Sequence, residues 1–218
     1  LRVAAMSNAL DDFKVLVEKG ARVDTVDFQG KNLLHYAAQY DAVQIIHFVM
    51  EHLRKLAEMG SAHRKGTEWH LGNSMKKQQI LNGLDQNKKT PLHVACSQGH
   101  LNSVRALRKC GAILNPIDEN SDTPLHVAAR EGRVDVVRQL LEWDEKLALA
   151  KGFRDDTPLH YAANRGHPEV AALLYNRSNL MERNKEGNTP SLVACSMGHL
   201  SVLQILIRKG VPVNVDDK

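Results

Sequence analysis

Histidine and cysteine are the residues of this 218-residue chain whose chemistry would matter most if they came together, and there are eleven and three of them. An imidazole can hold a metal ion or move a proton, and a thiolate can act as a nucleophile. Four of the histidines fall in one stretch, at His47, His52, His63 and His70. A zinc site needs further ligands at close spacing, and no cysteine accompanies them. We therefore predict neither a metal ion nor a cofactor.

The cysteines and the remaining motifs give no support for catalysis. Cys96 and Cys195 occupy positions that small side chains take elsewhere in the chain, which predicts buried and inert thiols. Cys110 follows Arg108 and Lys109, and because nearby positive charge lowers a thiol pKa, it is the candidate for a reactive cysteine. The chain has no glycine-rich phosphate loop and no G-x-S-x-G motif, so we predict that it is not an enzyme.

A recurring motif accounts for most of the histidines. Thr-Pro-Leu-His begins at Thr90, Thr123 and Thr157, and altered copies begin at Asn32 and Thr189. Two small residues follow each copy, and Gly-His follows three of them. Similarity at a fixed period of 32 to 34 residues is the signature of a repeat architecture. The chain is therefore predicted to be a row of similar structural units.

The residue types within one copy predict a pair of helices. Thr90 can cap a helix with its hydroxyl group, and Pro91 suits the first helical position, where no amide donor is needed. Gly99 can adopt the left-handed conformation that ends this helix. An apolar stripe at helical spacing then marks a second helix, at Leu101, Val104 and Leu107. One pair cannot bury its stripe alone, so the pairs must stack.

Thr-Pro-Leu-His, two small residues and Gly-His at this period resemble the ankyrin-repeat family. The resemblance implies an all-α solenoid of helix-turn-helix units with β-hairpin tips. It divides the chain into one array of six repeats, at 1–31, 32–89, 90–122, 123–156, 157–188 and 189–218. Repeat 2 is too long, and its register predicts an insertion at residues 54–78. The chain does not begin with Met, and we expect it to be a fragment of a longer protein.

The resemblance also implies a protein partner on the concave face, which hairpin tips and first helices form. The variable positions there are the candidate partner-binding residues: Phe28, Gln29, Tyr40, Lys89, Gln98, Glu119, Asp122, Arg130, Glu131, Phe153, Arg154, Asp156, Arg165 and Met197. Three of them are aromatic, and exposed aromatic residues are favoured as interface anchors. They are Phe28, Tyr40 and Phe153.

The net charge of +4 comes from the insertion. Its basic residues are Arg54, Lys55, Arg64, Lys65, Lys76 and Lys77, and Glu58 and Glu68 oppose them. The repeats themselves are neutral, which argues against nucleic acid as a ligand, because duplex binding needs an extended basic face. The insertion could contact an anionic surface weakly, or could be a solvated loop or an extension of the preceding helix. We predict no membrane insertion, because no apolar run approaches the length needed to span a bilayer.

Three classes of parent protein stay open. The first is a scaffold or regulatory protein in which the repeats bind a partner. The second is a channel, because Lys19 to Asp24, Asn32 to His35 and the long repeat 2 resemble the cytosolic repeat region of ankyrin-type transient receptor potential cation channels. The third is an enzyme that carries the repeats as a regulatory domain.

Three cysteines cannot form a disulfide framework, which predicts a cytoplasmic location. A homo-oligomer would form through the parent chain.

Overall fold

The computed structural model describes residues 1–61 and 75–208, which form short α-helices joined by turns. The helices are α1 Arg2–Met6, α2 Leu10–Glu18, α3 Leu33–Gln39, α4 Val43–Ser61, α5 at residues 75–81, α6 Pro91–Gln98, α7 Leu101–Lys109, α8 Pro124–Arg130, α9 Val134–Trp143, α10 Pro158–Arg165, α11 Pro168–Tyr175, α12 Pro190–Ser196 and α13 Leu200–Arg208. Two 3₁₀ helices, Glu145–Leu149 and Phe153–Asp155, lie between α9 and α10. The predicted all-helical repeat fold is confirmed.

Each repeat contains an inner helix, which begins at the motif in repeats 2 to 6, and an outer helix that follows it. The inner helices are α1, α3, α6, α8, α10 and α12, and the outer helices are α2, α4, α7, α9, α11 and α13. Thr90 adopts an extended conformation, its hydroxyl accepts the His93 amide, and Pro91 follows as the first helical residue. Gly99 ends α6 with a φ of 79° and Gly166 ends α10 with a φ of 71°, values that suit glycine because it lacks a Cβ.

The chain divides into two compact halves, Leu1–Leu114 and Asn115–Lys218. Within the first half α3 packs against α6, and within the second half α10 packs against α8 and α12. The paired small residues, such as Ala37 and Ala38, are fully buried and keep the inner helices thin enough to approach closely. The outer helices bury apolar residues such as Val104 and Leu140. Each half therefore has a continuous aliphatic core.

The chain reverses at each tip, in a tighter form than the β-hairpins that the resemblance implies. At the tip before α8 the Asp118 amide donates to the Asp122 carbonyl at 3.0 Å and the Ser121 amide donates to the Asp118 carbonyl at 3.0 Å. Throughout residues 1–61 and 75–208, β pairing is limited to one isolated antiparallel bridge between Val26 and Asn32. The tips are hydrogen-bonded turns.

The insertion in repeat 2 is helical on both of its described sides. Helix α4 continues through residue 54 to Ser61, and α5 includes residue 78, so the predicted boundaries at 54 and 78 fall inside helices. Gln79 is exposed, whereas Ala112, which the predicted register matches with it, is buried. At the end of α5 Leu81 is fully buried, and the Ile80 carbonyl accepts the Asn32 side-chain amide at 2.6 Å.

Candidate interaction surface

A tip residue with a side-chain oxygen fixes the backbone of most tips. Asp85 Oδ1 accepts the amides of Asn87 and Lys89 at 2.9 and 2.8 Å, and it is 8% exposed. Three other residues at the same position before a capping residue accept two tip amides in the same way: Asp27, Asp118 and Asn184. Each of these tips therefore has its main chain held by one of its own side chains.

A motif histidine can connect the start of its inner helix to the tip that follows, as His126 shows. The Thr123 amide donates to His126 Nδ1 at 3.1 Å, so the ring proton lies on Nε2. Nε2–H lies 3.1 Å from the carbonyl oxygens of both Ala150 and Asp156, to which it donates. Burial lowers the pKa of His126 to about 4. The imidazole is therefore neutral at pH 7, as its hydrogen bonds require.

Two further motif histidines repeat this arrangement. His35 Nε2 donates to the Lys89 carbonyl at 2.9 Å, and His160 Nε2 donates to the Asn188 carbonyl at 3.0 Å. Burial lowers the pKa of both imidazoles. The structural role predicted for these side chains fits their geometry, because both ring nitrogens are used for backbone groups.

The histidine that begins an outer helix makes a second link between repeats. His167 Nε2 donates to the Arg130 carbonyl at 2.9 Å, and its ring lies against Gly132. A Cβ on Gly132 would lie 2.7 Å from the ring, so the glycine both ends α8 with a φ of 68° and leaves space for the histidine. His199 contacts Gly166 in the same way.

The tip before α10 lacks the usual side-chain oxygen, because Gly152 occupies that position. Asp122 of the preceding tip supplies an oxygen for a different amide: its Oδ1 accepts the Phe153 amide at 3.2 Å and the Tyr161 hydroxyl at 2.6 Å, and the Asp156 amide donates to the Phe153 carbonyl at 3.1 Å. A Cβ on Gly152 would lie 2.4 Å from this same oxygen. Burial and the hydrogen bond to Asp122 both raise the pKa of Tyr161. The carboxylate of one tip thus completes the next.

Asp122 was predicted to face a partner, and that prediction is wrong. The residue is 1% exposed, since its carboxylate is committed to Phe153, Tyr161 and Arg130. Arg130 Nη1 lies 3.4 Å from Asp122 Oδ2, and the guanidinium carbon lies 5.9 Å from the Tyr161 ring centroid. Arg130 is held in place by these contacts and keeps part of its surface exposed.

Each half contains a cleft between its tips and inner helices. In the C-terminal half it measures about 360 Å³, and the predicted residues Arg130, Phe153, Asp156 and Arg165 line it. In the N-terminal half a cleft of about 310 Å³ brings together the predicted residues Gln29, Lys89 and Gln98. Their membership of a binding site stays a prediction.

The other predicted residues lie outside these two clefts. Phe28 is 86% exposed and Tyr40 is 42% exposed. Arg154 forms an ion pair with Glu186, and its guanidinium carbon lies 5.4 Å from the Phe153 ring centroid. The remaining three are exposed: Glu119, Glu131 and Met197.

The predictions for Cys195 and Cys110 need correction, whereas the prediction for Cys96 does not. Cys96 is buried, and burial raises its thiol pKa, as an inert role requires. Cys195 is exposed, because no helix of the described chain follows repeat 6 to cover α12. Burial raises the pKa of Cys110 and outweighs the neighbouring lysines, so this thiol is not activated.

The basic insertion is described only in part. Arg54 pairs with Glu51 at 2.6 Å, and Lys55 and Lys76 are exposed while Lys77 is half-buried. Arg64 and Lys65 lie outside the described residues, as do His63 and His70. Within 1–61 and 75–208, no three histidine, cysteine, aspartate or glutamate side chains are arranged to hold a metal ion. None of the helices in those ranges is long and apolar enough to cross a membrane.

Comparison with known proteins agrees with the repeat geometry. A family model described as ankyrin repeats (3 copies) matches residues 67–150 and again residues 143–217, more than half of the chain. The chain belongs to the ankyrin-repeat family. It is therefore a protein-interaction module. A curated relative from Caenorhabditis elegans, the transient receptor potential cation channel subfamily A member 1 homolog, is 29% identical over 172 residues. This ankyrin-repeat array is matched over 76% of its length and spans 14% of that relative.

Sequence reasoning missed the residues that hold the tips. The tip acceptors recur at a constant position before the capping residue, as at Asp85 and Asp118, so the period carried a signal for them. Gly152 occupies this position in one tip and has no side-chain oxygen, which indicates that another residue must stabilise that tip. Tyr161 gave a weaker signal, since valine occupies the same place in repeats 3 and 4, at Val94 and Val127.

The contact between Gly152 and Asp122 predicts a strong destabilisation by Gly152→Ala. The added methyl group would displace a carboxylate that has three partners, and overpacking of this kind costs about 1–3 kcal/mol. We expect the free energy of unfolding, measured by urea denaturation, to fall by that amount.

The control is the same substitution in an Asp122→Ala background, where the methyl group has space. There we expect Gly152→Ala to cost less than half as much, which would appear as a coupling energy in a double-mutant cycle. Equal costs in both backgrounds would show that the carboxylate does not occupy the site.

The lowered pKa of His126 predicts that stability falls in mild acid. The unfolded imidazole has a pKa of about 6.5 and takes up a proton first, so the contribution is complete above pH 6.5 and is lost as the pH falls towards 4. His126 alone accounts for a loss of about 2 kcal/mol between pH 7 and pH 5. His35 and His160 act in the same direction, and Asp156, whose pKa burial raises, acts against them.

Urea denaturation at a series of pH values measures this slope. His126→Ala is the comparison: it should lower stability at pH 7 by about 1–3 kcal/mol, through backbone groups left unpaired, and should make the slope shallower. A parent protein equally stable at pH 7 and pH 5 would contradict the neutral role of the imidazole.

Proposed function

We propose that this array is a non-enzymatic scaffold or regulatory region of a larger protein and that it binds a protein partner along its tips and inner helices. The observation that carries the proposal is the cleft that each half forms between those two elements. The tip backbones are fixed by Asp85 and its equivalents, and the motif histidines fix the tip carbonyls. A surface ordered in advance loses little conformational entropy when a partner binds.

The exposed aromatic residues give this surface its anchors. Phe153 lines the cleft of the C-terminal half and is 51% exposed. Arg130 lies beside it with a fixed guanidinium group. A few residues supply most of the binding energy in protein interfaces, and aromatic and arginine side chains are enriched among them. A partner that covers this cleft would bury both kinds of anchor together.

Alanine substitution at the aromatic residues should weaken a partner without unfolding the array. A photo-crosslinking amino acid at position 120, on the rim of the same cleft, identifies the partner in cells. We expect Phe153→Ala and Tyr40→Ala each to weaken that purified partner about fivefold or more, as the loss of an interface anchor would. Isothermal titration calorimetry measures the affinity, and the thermal midpoint should stay nearly constant.

Leu200→Ala is the matched control, because Leu200 is 69% exposed on an outer helix. It should leave the affinity unchanged. A partner that is sensitive to Leu200 and indifferent to Phe153 and Tyr40 would place binding on the outer helices.

A second candidate function is the cytosolic sensing or assembly region of an ankyrin-type transient receptor potential cation channel. The similarity to the Caenorhabditis elegans relative over 172 residues favours it. If the candidate is correct, the full coding sequence of the parent encodes apolar runs of about 18 residues or more outside the array. Sequencing the complete transcript tests this. A kinase or hydrolase signature in place of apolar runs would instead make the array the regulatory domain of an enzyme.

A further inference from the structure

The cleft of the N-terminal half has a different lining from that of the C-terminal half. Amide side chains dominate it, including Gln29, Gln39 and Gln98, and two lysines, Lys31 and Lys89, stand at its tips. We infer that this cleft binds an extended segment of a partner protein with an acidic side chain at every third residue. The inference rests on the proposed function and names the chemistry of the partner in one half of the array.

The charges of the lining favour an anionic partner. Lys31 and Lys89 line the cleft, and no described residue forms an ion pair with either of them. The acidic residue in the lining is Asp85, whose Oδ1 is turned into its own tip to accept two backbone amides. The charges that a ligand meets at the tips are therefore ammonium groups, which pair with carboxylates.

The amide side chains favour an extended backbone. Gln29, Gln39 and Gln98 can each donate and accept hydrogen bonds. A polyproline II segment has no internal hydrogen bonds, so its backbone groups are available for such partners. A helix would present none of them, because its backbone groups are already paired.

The repeat spacing sets the spacing of the acidic residues. Lys31 and Lys89 directly precede the capping residues of consecutive repeats, and their inner helices α3 and α6 pack side by side. Packed helices lie about 8–10 Å apart. Residues three apart in a polyproline II segment lie on one face, about 9 Å apart. One carboxylate can therefore meet each lysine.

The two tips are already joined without a ligand. The Gln86 amide donates to the Gln29 carbonyl at 2.9 Å, and Gln86 Nε2 donates to the Phe28 carbonyl at 2.5 Å. His35 Nε2 donates to the Lys89 carbonyl and fixes the backbone at that lysine. The backbones that carry the two lysines are therefore fixed relative to each other. A peptide of matching spacing loses little binding free energy to ordering of the site.

Fluorescence anisotropy with a labelled nine-residue peptide of three Glu-Ser-Pro units tests the inference on the whole 218-residue chain. We expect the glutamate peptide to bind at least tenfold more tightly than its Gln-Ser-Pro counterpart, and the Lys-Ser-Pro peptide not to bind. A peptide with the same composition but three adjacent glutamates should bind several-fold more weakly. Raising the salt from 50 to 300 mM should weaken binding, since both lysines are only half-buried and salt screens charges that solvent reaches.

Substitution of the lysines locates the site. Lys31→Gln and Lys89→Gln should each weaken the glutamate peptide about three- to tenfold. Lys19→Gln is the matched control, because it removes one exposed charge from the same half outside the cleft. Circular dichroism of all three variants should match that of the parent protein, which separates lost binding from lost folding.

Three outcomes would overturn the inference: equal binding of the glutamate and glutamine peptides, equal effects of Lys19→Gln and the two cleft substitutions, or equally tight binding of an oligothymidylate of the same charge. The last would make the cleft a general polyanion site. If the peptide experiment fails but Phe153→Ala still weakens the natural partner, the proposed function is retained and only this inference is rejected. Failure of both would remove the tips and inner helices as the binding surface.

Discussion

A neutral imidazole at the start of an inner helix joins its own repeat to the tip that follows. One ring nitrogen accepts the amide of the capping residue, and the other donates to a carbonyl of the next tip, as His126 does for Thr123 and Asp156. Protonation would remove the acceptor and place a charge in a buried site. The stack therefore depends on burial that keeps this ring uncharged, and the other features of each repeat contribute to that burial.

The same arrangement separates the residues that hold the structure from those that can vary. Asp85 and its equivalents hold the tip amides, and the motif histidines hold the tip carbonyls. Side chains such as those of Gln29 and Asn87 take part in neither set of bonds and line a cleft. Their identity can change without loss of those bonds. This is why two halves with one backbone plan present linings of different chemistry.

The fold and its helix-capping interactions could be predicted from the sequence because the residues involved are close together along the chain. Thr90, Pro91 and His93 lie within one turn of helix, and the period repeats their signal. The burial of Asp122 could not be predicted in this way, since it depends on a side chain that Gly152 lacks in the next tip. In the insertion, the extension of α4 was one of the alternatives that the sequence left open, whereas α5 was not predicted, because a register argument treats inserted residues as absent.

Cys195 shows the same limit at the end of the described array. Its position in the motif predicts burial, but burial there needs a further repeat to cover α12, and the helices described end with α13. A motif position fixes which way a side chain faces. Whether that face is covered depends on the neighbour. Asp122 has the same property, since its burial depends on Phe153 and Tyr161, which later repeats supply.

The dependence of the Gly152 tip on Asp122 limits how this array can be rearranged. Most repeats carry their own tip acceptor and could be exchanged for a consensus copy one at a time. Repeats 3 and 4 cannot, because a consensus aspartate at position 152 would meet the carboxylate of residue 122, and a repeat 3 without Asp122 would leave the Phe153 amide and the Tyr161 hydroxyl without their acceptor. In shuffling or domain grafting these two repeats form a single transferable unit. A chimaera whose boundary falls between them keeps Asp122 or Gly152 without the other, and the tip before α10 loses the matching of these two residues.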